Sequence, residues 1–460
     1  MDSVWPVAPL DPERLGRPSR RGATAALEAH IAVLRGEPLK AALANALREA
    51  NGLGGQERRF TAMAVRELSR HQRLLDLAAR LLGHTMGKVG LTEDQALVRY
   101  ALWRRIFCGE GWTRIGPEVR LPGPVRPRTI KDDLLQRVVE LPLPEAPMPD
   151  SHAEKLATRY SFPTWLVLRL AQVYPEDVLE GLLAALDEEP SLHFRARPPG
   201  TRDAVLAALK EEGVNAEAVA AAPDAVRVTD SSHRVFETRV MKSGRLQVQD
   251  VGSQLISEMC RPSAGSMEGF TVADICAGAG GKTLALADFV GPKGKVLAGD
   301  RSRRRLAEAR ERVRHFSLRQ VAFPHPLPLS DADVLLVDAP CSGTGSLARE
   351  PDQKWKLTAQ EIARYQATQT ELLEEVSRQA KPGALIVYAT CSVMPEEDEA
   401  VVEAFLAKHP DFTLEPVEHV LGAERAALAA QGPYLKALPP KVPGGGFFAA
   451  RLRRTGPGPG

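Results

Sequence analysis

The sequence predicts a multidomain protein that joins an all-α bundle, a small α+β connector and a doubly wound α/β domain. Its 460 residues exceed what one hydrophobic core usually organises. Apolar residues recur at three- and four-residue spacings through 20–107, which is typical of amphipathic helices. From about residue 246, short runs of β-branched residues alternate with helical segments, which predicts a mostly parallel sheet covered on both faces. The predicted domains span 18–140, 150–235 and 240–453.

The individual elements follow from periodicity and from chain breakers. In the N-terminal region the predicted helices are Ala25–Leu34, Leu39–Ala50, Glu57–Arg70, Arg73–Leu82 and Leu91–Phe107. A proline-dense stretch at 141–149 indicates a semi-rigid linker. Strand-like pieces at Ser191–Arg195 and Ala225–Val228 lie among helices in the connector. In the last domain the predicted strands are Thr271–Ile275, Lys295–Ala298, Asp333–Val337 and Ala384–Tyr388.

The composition excludes several classes of protein. Hydrophobic residues make up 44% and charged residues 26%, and no apolar run approaches the roughly 18 residues that a bilayer requires. Residues 1–12 lack the basic-then-apolar pattern of a secretory signal, so we expect a cytoplasmic protein without a membrane partner. The 5 cysteines are widely spaced and form no C-x-x-C pair. We therefore expect neither a structural metal site nor a disulfide framework.

The charge is unevenly divided along the chain. The net charge is +2, yet residues 1–140 hold 23 basic and 16 acidic side chains, a net of +7, so the other 320 residues carry −5. A basic N-terminal unit beside an acidic remainder suits a nucleic-acid-binding module next to a catalytic one. The same pattern fits a plain helical scaffold equally well, and the sequence leaves that choice open.

A glycine-rich turn follows the first strand of the α/β domain. It consists of Cys276, Ala277, Gly278, Ala279, Gly280, Gly281 and Lys282. A P-loop needs glycine where Cys276 stands, and a dinucleotide fingerprint needs glycine where Thr283 stands, so both patterns fail. Asp300, at the end of the second strand, can accept hydrogen bonds from both hydroxyls of a ribose. An adenosyl ligand such as S-adenosylmethionine therefore fits best, with Lys282 facing its carboxylate.

Two cysteines follow the ends of later strands, where ligands of an open α/β sheet bind. Cys341 lies in the run that begins Asp338-Ala-Pro, and Cys391 lies between Thr390 and Ser392. A thiolate that adds to carbon 6 of cytosine makes carbon 5 nucleophilic enough to take a methyl group. A second group must then assist release of the product. Asp338, close to the ring, can hold a proton at N3 during the addition.

These motifs resemble those of the Sun/NOL1/NOP2 family of RNA cytosine-5 methyltransferases. The resemblance covers roughly 245–452 and includes further motifs at Val248–Gln254, Arg349–Trp355 and Gly446–Leu452. It implies a Rossmann-like domain that binds S-adenosylmethionine through the glycine-rich turn, Asp300 and Asp338. In that family the cysteine of the Thr-Cys motif attacks and the cysteine of the Pro-Cys motif assists release. The resemblance thus assigns the attack to Cys391 and the release to Cys341.

The N-terminal helices, through Arg104-Arg105-Ile-Phe107, look like a NusB-type RNA-binding domain. That combination resembles the RsmB-type enzymes, so the implied partner is RNA, and 16S rRNA in particular. Transfer RNA or another ribosomal site, modified by the same chemistry, is one alternative. A non-catalytic RNA-binding assembly factor is another, because Pro324–Pro326 replaces an acid that the family usually carries on the adenine side. Arg301 and Arg303–Arg305 form either a solvated helix face or an RNA backbone contact.

Overall fold

The computed structural model describes the following parts of the chain: Trp5, Leu10, Leu15, 18–83, 92–119, 130–143, 149–229 and 233–456. The chain divides into two compact units. The first comprises Met1–Asp187 and Leu347–Lys356, and the second comprises Glu188–Ser346 and Leu357–Gly460. The division into three domains made from the sequence stays a prediction.

The described part of the first unit is helical. Its helices, α1 to α10 and the short α16, are Arg20–Leu34, Leu39–Glu49, Gly55–Arg70, Gln72–Leu81, Thr92–Cys108, Trp112–Val119, Asp132–Glu140, His152–Arg159, Thr164–Ala171, Glu176–Asp187 and Gln353–Lys356. The helices expected within 20–107 are present, four of them with bounds within two residues of the prediction at each end. The exception is α1, which begins five residues earlier than expected because the hydroxyl of Ser19 caps it by accepting the N–H of Gly22 at 3.1 Å.

Arg104, part of the predicted NusB-type pattern, is a buried structural residue. Its guanidinium bonds to the carboxylates of Glu110 and Glu118 and, at 2.8 Å, to the hydroxyl of Tyr100. A buried arginine is tolerated only when its donors are satisfied in this way. Arg104 therefore stabilises the bundle and is not a surface contact for RNA.

The motif at Arg349–Trp355 also belongs to the first unit. Lys354 is 1% exposed and donates to Asp187 at 3.0 Å, while its ammonium lies 4.3 Å from the ring centroid of Phe162. The indole of Trp355 donates to the carbonyl of Ser69 at 2.6 Å. In the structure, these two motif residues hold helices of the first unit together.

The second unit contains two sheets. A four-stranded antiparallel sheet has the order β2-β3-β1-β4, and a nine-stranded mixed sheet has the order β11-β12-β13-β9-β8-β5-β6-β7, with β10 paired to β13. The strands β1 to β13 are Leu192–Ala196, Ala216–Ala218, Ala225–Val228, Leu246–Val248, Thr271–Asp274, Lys295–Ala298, Val321–Ala322, Val334–Asp338, Leu385–Thr390, Phe412–Glu415, Ala430–Gln431, Tyr434–Ala437 and Phe447–Arg454. The helices α11 to α15 and α17 to α19 are Arg202–Glu211, Arg239–Lys242, Val251–Met259, Gly281–Val290, Arg303–His315, Ala359–Gln379, Glu399–Lys408 and Glu418–Ala429.

The large sheet has a hydrophobic cluster on each face. Along β8, Val334 and Leu336 belong to one cluster, whereas Leu335 and Val337 belong to the other. Successive side chains of a strand point to opposite faces, so a run that is apolar throughout marks a strand buried on both sides. The predicted doubly wound core is therefore present in β5 to β9, which pair in parallel.

The antiparallel extension of this sheet was not predicted as strands. β13 pairs antiparallel with β9, and β12 and β10 pair with β13. The strand β10, Phe-Thr-Leu-Glu, is half exposed, and β11 has only two residues, so neither leaves a clear apolar pattern.

Among the described residues, no helix combines the length and apolarity that a membrane crossing demands.

Candidate active site

The glycine-rich turn links β5 to α14 and requires glycine at two positions. Gly278 has φ 55°, and a Cβ there would lie 2.3 Å from a guanidinium nitrogen of Arg305. Gly280 caps α14 with φ 84°, and its Cβ would lie 3.2 Å from the Cα of Ala309. Both positions therefore need the positive φ and the absent side chain that only glycine provides. The turn brings backbone N–H groups and a helix N-terminus to the carboxyl end of β5.

Asp300 lies beside this turn, after β6. Its Oδ2 accepts the N–H of Gly278 at 2.8 Å, and its Oδ1 accepts the N–H of Ser302 at 2.7 Å. Each carboxylate oxygen has two lone pairs, so acceptor capacity for ribose hydroxyls remains. The acid predicted for the cofactor thus also fixes the shape of the turn.

Lys282 is paired with Asp338. Its Nζ donates to Oδ2 of Asp338 at 2.7 Å. Burial alone would lower the pKa of Lys282, but the attraction of Asp338 outweighs it and raises the pKa. An ammonium has three donors, so this pair leaves two for another acceptor. The pair joins the start of α14 to the end of β8.

A buried acid lies beneath the turn. Asp274 is 1% exposed and accepts a hydrogen bond from the hydroxyl of Thr283 at 2.6 Å. Burial raises its pKa to about 7. Asp274 therefore contributes shape and a hydrogen bond to the turn.

The two strand-end cysteines lie side by side, with 3.2 Å between their Sγ atoms. The hydrogen bond from Cys341 lowers the pKa of Cys391, against the effects of burial and of Asp338, with help from Lys282. The same hydrogen bond, together with burial, raises the pKa of Cys341 well above its usual range. Cys391 is therefore the thiol of the pair that ionises first, as a nucleophile requires.

The other three cysteines have raised pKa values. Burial raises the pKa of Cys276 and of Cys108 to about 12, and it also raises the pKa of the fully buried Cys260. Such thiols stay protonated and unreactive at neutral pH. Among the described residues, no cluster of three or more His, Cys, Asp or Glu side chains is arranged to hold a metal ion.

The loops that carry the two cysteines are bonded to each other. The N–H of Gly345 donates to the carbonyl of Cys391 at 3.0 Å, and the hydroxyls of Thr344 and Ser392 lie 3.0 Å apart. Glu397, which has no exposed surface, bonds to both loops. The sequence gives no signal for Glu397, because nothing in the acidic run at 396–399 marks one member as buried.

Arg195 and Arg197 are also buried structural residues. They are 1% and 4% exposed, and both bond to Asp288 on α14, at 2.6 and 2.9 Å. Arg195 also donates to Gln249, whose amide lies 3.5 Å from the carbonyl of Gly281. This cluster of residues fastens the small sheet to the helix that follows the glycine-rich turn.

The five parallel strands, the glycine turn at the end of the first and an acid at the end of the second are consistent with the Rossmann-like fold of S-adenosylmethionine-dependent methyltransferases. The family model described as 16S rRNA methyltransferase RsmB/F matches residues 265–453, and the ferredoxin-like domain of RsmF/B-like methyltransferases matches 162–233.

Curated relatives agree with this match. The probable ribosomal RNA small subunit methyltransferase B of Synechocystis is 31% identical over 317 residues, which cover 66% of this chain and 70% of the relative. The ribosomal RNA small subunit methyltransferase B of Klebsiella pneumoniae is 33% identical over 302 residues, which cover 64% and 66%. The chain therefore belongs to the RsmB/F family of 16S rRNA methyltransferases.

Solved structures share the fold. The crystal structure of PH0851 matches with a TM-score of 0.73 at 23% identity, covering 95% of this chain and 99% of that one. A methyltransferase homologue from Pyrococcus horikoshii matches with a TM-score of 0.53 at 24% identity, covering 65% and 97%. None of these comparisons identifies the N-terminal helices as NusB-like, which stays a prediction.

Proposed function

We propose that the protein transfers a methyl group from S-adenosylmethionine to carbon 5 of a cytosine in 16S rRNA, through a covalent bond between Cys391 and carbon 6. One observation carries the covalent mechanism: two thiols lie 3.2 Å apart at the carboxyl ends of β8 and β9, and one of them ionises first. Membership of the RsmB/F family supports ribosomal RNA as the substrate.

The cofactor would be held by the turn Cys276–Lys282, by Asp300 and by Asp338. Gly278 and Gly280 adopt left-handed backbone conformations and contribute no side chain of their own to the turn, and Asp300 retains acceptor capacity for a ribose. Lys282 has two donors left for a carboxylate beyond its bond to Asp338. When bound, the cofactor supplies an electrophilic methyl group.

The residues of the chain act on the base in a fixed order. The thiolate of Cys391 adds to carbon 6, and the electron pair of the 5,6 double bond shifts toward carbon 5 as N3 takes a proton from solvent. The carboxylate of Asp338 holds that proton at N3 by accepting its hydrogen bond, and N3 returns the proton to solvent when the 5,6 double bond re-forms. Carbon 5 takes the methyl group and then loses its proton to water. The bond between sulfur and carbon 6 breaks, and the electron pair returns to Cys391 as a thiolate. The thiol of Cys341 donates a hydrogen bond to that thiolate and so assists release.

The target cytosine must be unstacked to reach these thiols, so a single-stranded or extruded base is the expected substrate. We assign backbone binding to the basic helices within 18–140, whose contribution would weaken with salt. Deleting 1–140 would then weaken RNA binding and flatten its salt dependence, whereas unchanged binding would remove that role.

The test is methylation of unmodified 16S rRNA by the purified full chain with labelled S-adenosylmethionine, followed by digestion to nucleosides. Labelled 5-methylcytidine is the expected product. Label in transfer RNA or 23S rRNA alone would keep the chemistry and replace the substrate. If no RNA gains label and the cofactor does not bind, Pro324–Pro326 has disabled the site and the assembly-factor alternative takes over.

A further inference from the structure

A single buried carboxylate joins the two cysteine loops. Glu397 accepts the N–H of Ser342 at 2.8 Å through Oε1 and the hydroxyl of Ser392 at 2.6 Å through Oε2. The hydroxyl of Ser342 also donates to Oε2. Ser342 directly follows Cys341 and Ser392 directly follows Cys391. One side chain therefore holds the residue after each thiol.

The groups that contact the carboxylate of Glu397 are uncharged hydrogen-bond donors. The amide of Gln369 on α17 donates to Oε1 at 3.1 Å and to the carbonyl of Pro340 at 3.0 Å. In the part of the chain that the structure describes, no Lys, Arg or His side chain forms an ion pair with Glu397. Burying a carboxylate is costly, and here only hydrogen bonds from the two loops and from α17 offset the cost. Stability alone would be served by a neutral or apolar side chain, which points to a role in geometry.

We propose that Glu397 is a positioning residue: it fixes the spacing of the two loops so that the thiol of Cys341 donates its hydrogen bond to the sulfur of Cys391. The roles of the two thiols rest on the proposed function, but their contact does not. Besides Cys341, the titratable groups that act on Cys391 are Asp338 and Lys282, and neither is bonded to Glu397. Weakening the hydrogen bonds of Glu397 should therefore remove the effect of Cys341 on the pKa of Cys391 and leave the effects of Asp338 and Lys282 in place.

The experiment measures how fast iodoacetamide labels Cys391 in the full-length protein as a function of pH, read by mass spectrometry. Glu397→Gln keeps the shape but replaces one acceptor oxygen by an NH2 group, so at least one hydroxyl or amide that now donates to Glu397 must reorient. It also removes the negative charge that helps to raise the pKa of Cys341. We expect the pH midpoint of Cys391 labelling in this variant to rise to the midpoint of Cys341→Ala. The double variant Glu397→Gln, Cys341→Ala should show no further rise, because both substitutions remove the same interaction. Turnover should fall by about 100-fold, the effect of a misplacement of about 1 Å, with binding of S-adenosylmethionine unchanged.

Glu374→Gln is the matched control, because the carboxylate of Glu374 bonds only to His409 in the described structure and Glu374 lies on the same helix as Gln369. It should keep the midpoint of the parent. A folded Glu397→Gln with the parent's midpoint, or midpoint shifts that add in the double variant, would overturn the proposal. If Glu397→Gln does not fold, Ser392→Ala removes one of the hydrogen bonds and is judged by the same midpoint. Labelling needs no RNA, so a protein that methylates nothing can still show this coupling.

A second, independent observation concerns the helix after Asp300. Residues 301–319 contain eight arginines and two glutamates, a net of +6 in a chain whose total is +2. The exposed arginines are Arg301, Arg303, Arg304, Arg305, Arg310, Arg314 and Arg319. The glutamates pair with Arg304 and Arg314, and the other five form no ion pair with any described residue.

The last of these arginines border a groove at the edge of the large sheet. A cavity of about 790 Å³ is lined by Arg310, Arg314, Arg319 and Phe323, among others, and the guanidinium of Arg310 lies 5.2 Å from the ring centroid of Phe323. Because α15 returns from the carboxyl end of β6 to the start of the edge strand β7, its 13 residues run for about 20 Å along the side of the sheet. The arginine-rich segment 301–319 therefore starts beside Asp300 and ends at the groove.

We infer that the exposed arginines of 301–319 bind the phosphate backbone of the RNA substrate. This inference rests on the proposed function and adds a binding surface to it. Exposed guanidinium groups distributed along 301–319 suit the phosphates of an RNA backbone, and they carry no base preference by themselves. The face would hold RNA that extends from the target base past the β7 edge.

The test is binding of 16S rRNA fragments by the triple variant Arg310→Gln, Arg314→Gln and Arg319→Gln at several salt concentrations, with Arg364→Gln on α17 as a control of equal charge type. We expect the triple variant to bind at least 10-fold more weakly, with a salt slope smaller by about 2 to 3, while binding of S-adenosylmethionine and the behaviour of Arg364→Gln stay at parent values. An unchanged slope in the triple variant would exclude this surface. Binding is read separately from methylation, so loss of the proposed activity and loss of the surface give different results.

Discussion

The glycine-rich turn and the pair of cysteine loops lie at the same edge of one sheet, yet they are held in different ways. The turn depends on backbone: Gly278 and Gly280 adopt positive φ, and Asp300 bonds a backbone N–H. The cysteine loops depend on side chains, since buried hydroxyls, an amide and the carboxylate of Glu397 bond them to each other.

This difference matches what each region is expected to do. A cofactor that binds and leaves with every turnover needs open backbone donors, which glycines provide. Two thiols that must exchange a hydrogen bond need a fixed separation, and packed side chains fix distances better than a glycine turn does. Substitutions in the turn should therefore weaken binding, and substitutions in the cysteine loops should slow chemistry.

The largest effect is expected for Cys391→Ala. Removing the nucleophile should lower turnover by more than about 10⁴-fold, with no covalent RNA adduct and normal binding of S-adenosylmethionine. Cys108→Ala, which removes a thiol that burial keeps protonated, is the control and should retain activity. Methyl transfer and denaturing gels with labelled RNA measure both. Substantial activity in Cys391→Ala would assign the attack to another residue.

Cys341→Ala should slow release and leave the attack possible. Turnover should fall by about 100-fold, and a protein–RNA adduct that survives denaturation should accumulate. Because the hydrogen bond from Cys341 lowers the pKa of Cys391, its loss should move the rise of adduct formation to higher pH. The reverse pattern, with an adduct in Cys391→Ala and none in Cys341→Ala, would exchange the two roles.

Asp300→Ala tests the turn alone. Loss of hydrogen bonds to a charged acceptor, about 1.5–3 kcal/mol, should weaken binding of S-adenosylmethionine by about 10- to 100-fold. The labelling midpoint of Cys391 should not change, because Asp300 is not among the groups that act on it. Calorimetric titration and the labelling assay separate the two effects. A shifted midpoint would show that the two regions are not independent.

The sequence predicted the parts of the molecule that follow a period or a motif. Four of the five parallel strands, four of the helices within 20–107 and the place of both cysteines were found to within a few residues, because apolar runs and chain breakers are local signals. Arg195 and Arg104 show the limit. A charged residue looks the same in a sequence whether it faces RNA or is buried against Asp288 or Glu118, since its partner lies far along the chain.

Glu397 shows the same limit from the other side. It stands in a run of acids that resembles a solvated helix start, and only the fold reveals that it is fully buried between two loops. Lys282, whose role toward the cofactor stays a prediction, also pairs with Asp338, a contact between residues 56 positions apart that the sequence did not indicate. Networks of this kind depend on the topology of the sheet, which local patterns do not encode.

Asp274→Asn should have the smallest effect, on stability and not on chemistry. Burial raises the pKa of Asp274 to about 7 in the folded state, above its value in the unfolded chain. Its contribution to stability is therefore fully present at low pH and is lost as the pH rises through about 7, because the unfolded chain releases the proton first. Asparagine keeps an acceptor for Thr283 and carries no charge, so the variant should be more stable than the parent by about 1–2 kcal/mol at pH 8 and by less at pH 5.5. Urea unfolding at both pH values measures this, and a variant that is equally destabilised at both would mean that the acid stabilises the turn as a carboxylate.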